Sequence, residues 1–420
     1  MHLHSKHGFC RLCGSSLLKC VVPLEPVPLG EHYSDNPIPE SPRFPIDLYQ
    51  CMECCAVQTQ DDIMPEYLWR DYTYFSGQTQ KIIDHFSCFA DSVLSEYFPA
   101  TTPSVLDVGS NDGSLLQQFL LRDCSVQGID PASTVVSEAI SKGIPTELGL
   151  FNRATSKSLL NSNKYSLITA FNVFAHSHEM DEMAQAVALS LEPDGLFCFE
   201  VQYLPDIVSK NILGTIFHEH MIHYSYRSAS NFMELNGLTI IDAWRNNIQN
   251  GSIIFIACLT SSNNRMVLIK DSVLAQLREL EESLMLHATS WANNFNRSIR
   301  ATYAKVTELL DVAGSVAAFG AARSGPTLAI QYGLDNKISH LFDDHPSKCH
   351  KYSPYNDLVV SPSTGLNPLT MPYCVILAYI HYKPILKSNY DYVQKGGNFI
   401  LLWPEFNIVT ASNIDSIVND

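Results

Sequence analysis

Hydrophobic and polar residues follow two periods along this chain. Over residues 104–260, the short apolar runs SVLDV (104–108), SVQGID (125–130), SLITAF (166–171) and GLFCFE (195–200) are separated by SLLQQFLLR, TVVSEAISK and EMAQAVALSL, which have helical spacing. Apolar runs of this length, bounded by turn residues, read as strands buried on both faces. Their alternation with helices predicts a doubly wound α/β sheet. Ahead of them, Ile82, Ile83, Phe86, Phe89, Val93 and Leu94 recur at helical intervals, and PATTP (99–103) breaks the chain before the first strand. Residues 272–312 predict one or two long connecting helices. SVAAFGAA (315–322), HLFDD (340–344), YCVILAY (373–379) and FILLWP (399–404) then predict a second α/β unit. Residues 1–60 hold no sustained period and are rich in Cys and Pro, as expected of a small metal-stapled module. There is no short internal repeat and no low-complexity tract. The patterns divide the chain into residues 1–70, 71–265 and 266–420.

Composition narrows the partners. The 420 residues carry 27 Lys+Arg against 43 Asp+Glu, a net charge of −16. Nucleic-acid affinity comes mainly from basic side chains displacing counterions, so so acidic a chain argues against a nucleic-acid partner. The opening residues MHLHSKHGFCRLC lack the apolar run of a signal peptide, and no later stretch approaches the roughly 20 apolar residues that span a bilayer. The expectation is a cytoplasmic protein with no membrane partner, whose 12 cysteines are reduced thiols plus a metal site.

Four of those cysteines form two CxxC pairs, Cys10/Cys13 and Cys51/Cys54. The spacing lets two sulfurs of one tight turn reach the same ion, and four thiolates satisfy tetrahedral zinc. Gly14, directly after the first pair, suits such a turn. A shell of four thiolates is closed, so the expected zinc is structural and not catalytic. The alternative is four buried or redox-active thiols.

The segment VLDVGSNDGSLLQQF holds the most chemistry. A buried strand ends at Asp107, passes Gly109, Ser110, Asn111 and Gly113, and enters a helix. Glycines let backbone approach a ligand closely. A dinucleotide site would show GxGxxG. The pattern here is DxGxxxG, which resembles the S-adenosylmethionine (SAM) loop of Rossmann-like methyltransferases. Asp130, ending the next strand, is positioned for ribose hydroxyls. Asn172, after the third of the quoted strands, stands where the methionine portion and a substrate would meet.

GTIFHEHMIHYS (214–225) gathers three histidines and a glutamate. It lacks the HExxH spacing of a zinc protease. Alternation would turn His218 and His220 one way and Glu219 the other. Spacing alone leaves a polar surface loop and a general base equally open.

Taken together, these motifs resemble sugar C-methyltransferases of the TylC3/NovU type, which methylate a carbon next to the keto group of a nucleotide-linked deoxysugar. The ordered matches span nearly the whole chain. They are the CxxC pairs followed by Val57-Gln58, Tyr72-Thr73-Tyr74, the DVGSNDG loop, Asn172 with His176, and Glu200 before Tyr203-Leu204. Glu219-His220, Gly251, Gly320-Ala-Ala…Gly325, Asp343…Pro346…Lys348 and Trp403-Pro404-Glu405 follow.

The resemblance implies a central Rossmann-like SAM methyltransferase domain. A small N-terminal zinc-binding domain and a C-terminal Rossmann-like α/β substrate-binding domain flank it. It implies SAM and structural zinc as cofactors and a dTDP- or GDP-linked keto-deoxysugar as substrate, in a monomer or homodimer. It makes His220 the base and Glu219 its orienting partner, with His176, Tyr72 and Tyr74 lining the pocket. It points to Glu200, Tyr203, Tyr224, Arg323, Asp343 and Lys348 for substrate. Relatives often place Tyr at Phe217, with Tyr224 the candidate replacement hydroxyl here, and Lys at Ser324, next to Arg323. A small-molecule O- or N-methyltransferase and a non-catalytic SAM- or sugar-binding scaffold are the competing readings.

Overall fold

A computed structural model describes residues 3–38, 41–68, 75–158, 163–263, 265–355 and 357–419. The N-terminal module has five short strands, β1 (His4–Lys6), β2 (Leu18–Val22), β3 (Leu48–Cys51), β4 (Val57–Gln58) and β5 (Asp61–Ile63). β1 pairs antiparallel with β5, and β2, β3 and β4 form an antiparallel ladder. Arg11 and His7, beside β1, hold the Asp62 carboxylate of β5 at 2.7 and 2.9 Å, and His178 from the central unit reaches it at 3.1 Å.

The central unit opens with the helix Gln80–Tyr97, which buries Phe86, Phe89, Ala90 and Val93 against the sheet. Its strands are β6 (Ser104–Val108), β7 (Ser125–Asp130), β8 (Thr146–Leu148), β9 (Tyr165–Phe171) and β10 (Leu191–Gln202). β11 (Ile222–His223), β12 (Leu238–Asn246) and β13 (Ser252–Leu259) follow. Seven of these form one sheet in the order β12-β13-β10-β9-β6-β7-β8, parallel from β10 to β8, with β13 antiparallel to both neighbours. The order reverses between β6 and β9, and in open α/β sheets ligands bind at such a switch point, beyond the carboxyl ends of the strands. β11 leaves this sheet and pairs with β4, completing the N-terminal ladder as β11-β4-β3-β2.

The helices Asp271–Ser283 and Trp291–Ala313 connect to the third unit. It holds β14 (Val316–Phe319), β15 (Ile338–Phe342), β16 (Val360–Ser361), β17 (Tyr373–Ile376), β18 (Asn398–Leu401) and β19 (Asn407–Val409), in the order β16-β15-β14-β17-β18-β19. Its switch point lies between β14 and β17, so both α/β units share one winding.

The cores run across these units. Val22, Val27, Ile46 and Leu48 of the N-terminal module share a buried cluster with Leu204, Ile212, Ile216, Val306 and Leu328. Another joins Cys10, Leu12, Cys51 and Cys54 to Phe174, Phe199 and Tyr224. A fully buried side chain of this size contributes about 1.5–3 kcal/mol relative to exposure, so the module is held by shared packing as well as by its own sulfurs. Among the described residues no helix is long and apolar enough to cross a membrane.

Candidate active site

The carboxyl ends of β6, β7 and β9 form the first part of the site. Gly109 has φ +67°, and a Cβ there would lie 2.5 Å from a Val173 methyl, so backbone conformation and space both demand glycine. Asn111 (φ +50°) and Gly113 (φ +75°) complete the turn. Asp107 accepts a 2.6 Å hydrogen bond from the Thr169 hydroxyl, and burial pushes its carboxyl up to about 7. Asp130 accepts from the Asn111 and Ala132 amides at 3.0 and 2.8 Å, and burial raises it too. Ser110 Oγ is buried with no partner among the described residues. The Ser76 and Gly77 amides donate to the Asn111 and Asp112 side chains at 3.0 and 3.1 Å, strapping the chain just before the long helix onto the turn. Buried acids at two strand ends, a glycine-lined approach and an orphaned hydroxyl fit the ribose and amino-acid ends of SAM.

Asn172, at φ +56°, donates its amide to the Glu200 carbonyl at 2.8 Å. The Glu200 side chain is fully buried, within 3.0 Å of His85 Nε2 and accepting from Asn246 Nδ2 at 2.7 Å. His85 is a polar residue on the apolar face of its helix. That was its only signal in the sequence, and sequence reasoning passed over it.

The histidine segment forms a tight turn, in which His218 and His220 take different partners. His218 bonds the Phe44 carbonyl of the N-terminal module at 3.2 Å. His220 Nδ1–H donates to the Thr215 carbonyl at 2.7 Å, leaving the lone pair on Nε2. Its ring lies tilted by 34° against Phe217, 3.9 Å between centroids, and meets His176 edge-on at 4.9 Å. Burial pushes His220 well below its usual range, reinforced by His176 and His223. Burial likewise lowers His176 to about 3, and His218 and His223 to about 4. All four are neutral imidazoles near pH 7.

Glu219 lies away from the His220 ring. Its Oε1 is 3.7 Å from Arg323 Nε, and its Oε2 is buried without a partner among the described residues. Burial raises its carboxyl, with Arg323 opposing. Arg323 also lies 3.4 Å from Glu31 and faces the Phe217 ring at 5.9 Å. Lys348 pairs with the second Glu31 oxygen and stands 4.2 Å over the Tyr33 ring. Burial alone would raise Glu31, but Arg323 and Lys348 together hold it below its usual value. Asp343, the residue just after β15, accepts from the Ala321 and His345 amides at 2.7 and 2.8 Å.

The structure therefore brings His176, His220, Glu219, Phe217 and Arg323 together, with Lys348 one residue further along through Glu31. Tyr203 and Tyr224 are buried with their hydroxyls committed elsewhere. Tyr203 donates to Glu281 at 2.9 Å and Tyr224 to the Phe174 carbonyl at 3.1 Å. Ser324 is buried and donates to the Leu377 carbonyl at 3.3 Å. Tyr72 and Tyr74 lie outside the described residues. Glu31 belongs to no motif, and Thr215, though it lies at the start of GTIFHEHMIHYS, carried no signal of its own; only the folded chain gives them these partners.

The four cysteines converge as their spacing predicts. Their sulfurs lie within 4.8 Å of one another, with Cys10–Cys54 at 3.5 Å and Cys13–Cys51 at 3.6 Å. Tetrahedral zinc with Zn–S near 2.3 Å requires sulfurs about 3.8 Å apart, so the set fits a closed structural zinc site.

Three family models match in succession: a zinc binding domain over residues 10–69, a methyltransferase domain over 83–243 and a C-methyltransferase C-terminal domain over 247–404. The C-methyltransferase NovU of Streptomyces niveus is 26% identical over 410 residues, covering 96% of this chain and 97% of that protein. Two solved structures align over part of the chain. A SAM-dependent methyltransferase from Clostridium acetobutylicum is 15% identical (TM-score 0.34), covering 46% of this chain and 95% of that one. Magnesium protoporphyrin IX methyltransferase from Synechocystis is 19% identical (TM-score 0.34), covering 46% and 91%. With a zinc-binding, a methyltransferase and a C-methyltransferase C-terminal domain matched in succession, this chain is a SAM-dependent methyltransferase similar over nearly its whole length to NovU.

Proposed function

We propose that the chain methylates the carbon adjacent to the keto group of a nucleotide-linked 4-keto-deoxysugar, with His220 as general base. The observation that carries this reading is the His220 tautomer. Nδ1–H is held by the Thr215 carbonyl, so Nε2 is the proton acceptor, and burial keeps the ring neutral. A carbon becomes nucleophilic near neutral pH only when a neighbouring carbonyl delocalises its charge. In this reading Nε2 takes the α proton, and the electron pair passes into the enolate. His176 and the Tyr72/Tyr74 pair stabilise the enolate oxygen in a water-poor pocket, where such hydrogen bonds gain strength. Asp107, Gly109, Ser110, Asn111, Gly113, Asp130 and Asn172 would hold SAM, whose sulfonium would supply the methyl to the enolate carbon as its S–CH3 bond breaks and the neutral thioether leaves.

Glu219 acts through Arg323 in this scheme, not on the imidazole. Arg323 and Lys348 serve the diphosphate and Asp343 a ribose hydroxyl, with Glu31 holding the two cations until substrate arrives. Glu200, Tyr203 and Tyr224 shape the pocket wall from behind. Function divides near residues 70 and 265, into a zinc staple, a methyl-transfer unit and a substrate-binding unit.

The test is a panel of dTDP- and GDP-linked 4-keto-6-deoxysugars with isotopically labelled SAM, read by mass spectrometry. The expected result is one methyl gained on carbon with at least one sugar, and deuterium exchange at that carbon without SAM. His220→Gln should abolish both. Methyl transfer to oxygen or nitrogen without exchange, or full activity of His220→Gln, would refute the proposal.

A further inference from the structure

The hydrogen bond that orients His220 ends a longer chain. Thr215 closes the short 3-10 segment Leu213–Thr215, and its carbonyl accepts from His220 Nδ1 at 2.7 Å. Its hydroxyl, 3.4 Å from the same nitrogen, donates to Gln202 Oε1. Gln202 is the last residue of β10, and its Nε2 donates to Gln249 Oε1 at 2.9 Å. Gln249 sits in the link between β12 and β13, which has unusual backbone geometry. Gln249 (φ +49°) and Asn250 (φ +68°) are both left-handed, and Gly251 has φ +150°, where a Cβ would lie 2.4 Å from Asp206. Two successive left-handed residues that carry side chains are costly, and they persist only where the surroundings impose them.

The route they support leads to the histidine. A neutral imidazole has two tautomers, and only the form with the proton on Nδ1 leaves Nε2 able to accept one. Fixing Thr215 fixes that choice. Because Gln202 terminates β10, next to β9 in the sheet, the same contacts set the distance between His220 and the strand ends where the glycine turn lies.

We propose that Gln249, Gln202 and Thr215 form a positioning relay that locks the His220 tautomer and holds the ring in register with the strand ends, an inference that rests on His220 being the base. Three variants of the full chain test it: Gln249→Ala, Thr215→Val and the conservative Gln202→Glu, which keeps an acceptor for the Thr215 hydroxyl and accepts from the Gln249 amide once that group turns its Nε2 inward. The readouts are kcat and KM for methyl transfer, the SAM-independent deuterium exchange rate against pH, and the 15N shifts of His220. The expected result is a kcat and exchange rate lowered roughly ten- to hundredfold in Gln249→Ala and Thr215→Val, since a displacement of order 1 Å costs that much. KM should stay within about twofold, the 15N shifts should report a mixed tautomer, and Gln202→Glu should retain most activity. Zinc content and SAM affinity equal to those of the parent establish that each variant is folded. Unchanged exchange and an unchanged tautomer in both disruptive variants, with His220→Gln inactive, would overturn the relay alone. An active His220→Gln would instead remove the reading beneath it.

Discussion

His223 offers a sharp test of the electrostatics of the pocket. It lies on β11, is buried, and its Nε2 has no partner among the described residues. Burial alone lowers it to about 4 from an ordinary value of 6.5. A histidine whose folded value is depressed binds more protons in the unfolded chain, so stability is fully present above the unfolded value and is lost as pH falls toward the folded one. Between pH 7 and pH 5 the unfolded imidazole becomes charged while the folded one stays neutral, which costs about 2 kcal/mol. Replacing the ring with an aliphatic group of similar size, His223→Leu, removes that loss. Any packing change acts equally at both pH values and cancels in the comparison, as do Asp107 and the other titrating groups that do not feel His223; His220, which does, stays neutral through its own burial. Unfolding free energies of parent and His223→Leu should be measured by denaturant titration at pH 7 and pH 5, with zinc content checked at each. The parent should lose about 2 kcal/mol more than the variant over this interval. Equal losses would mean that His223 is protonated in the folded protein, and the picture of a neutral, desolvated histidine cluster would fail.

Two further outcomes follow from the glycine turn and the zinc knot. Gly109→Ala places a methyl group against Val173 at a left-handed φ, so SAM affinity measured by calorimetry should fall at least about tenfold, roughly 1.4 kcal/mol of the distortion being felt at the ligand; parental affinity would show that the turn does not approach the cofactor. Binding of zinc to closed thiolate sites is worth on the order of 10 kcal/mol. Cys54→Ser should therefore lower zinc content and melt the N-terminal module, seen as increased amide exchange over β2, β3 and β4, and normal exchange would refute the structural role.

Much of the architecture was legible because it rests on local patterns. SVLDV and SVQGID coincide with β6 and β7, the first buried over nearly its whole length and the second over its carboxyl half. The 272–312 stretch separates into two helices, with Met285 between them at φ +56°, and no glycine or proline announces the break. β12 and β13 were not distinguished as a pair, because an antiparallel edge added to a parallel sheet carries no periodicity of its own. The CxxC pairs needed only sequence spacing to converge. The histidine turn did not follow its spacing. Glu219 faces Arg323, about a hundred residues later in the chain, and His218 faces Phe44 far before it, and no local pattern encodes such meetings. Glu31 sits in a proline-rich stretch that looks like linker until two distant cations settle on it.

The short strand β11 has a consequence for how the polypeptide is made. All four zinc ligands are synthesised well before Ile222–His223, so their ladder lacks its fourth strand until that segment exists. Until then β4 presents an open edge, ready to pair with another nascent chain. Metal capture by the emerging thiolates would protect the module during that wait, and closure of the ladder would coincide with the appearance of His220 two residues earlier. Completion of the N-terminal ladder and assembly of the histidine pocket are thereby coupled, because β11 and His220 arrive in one segment.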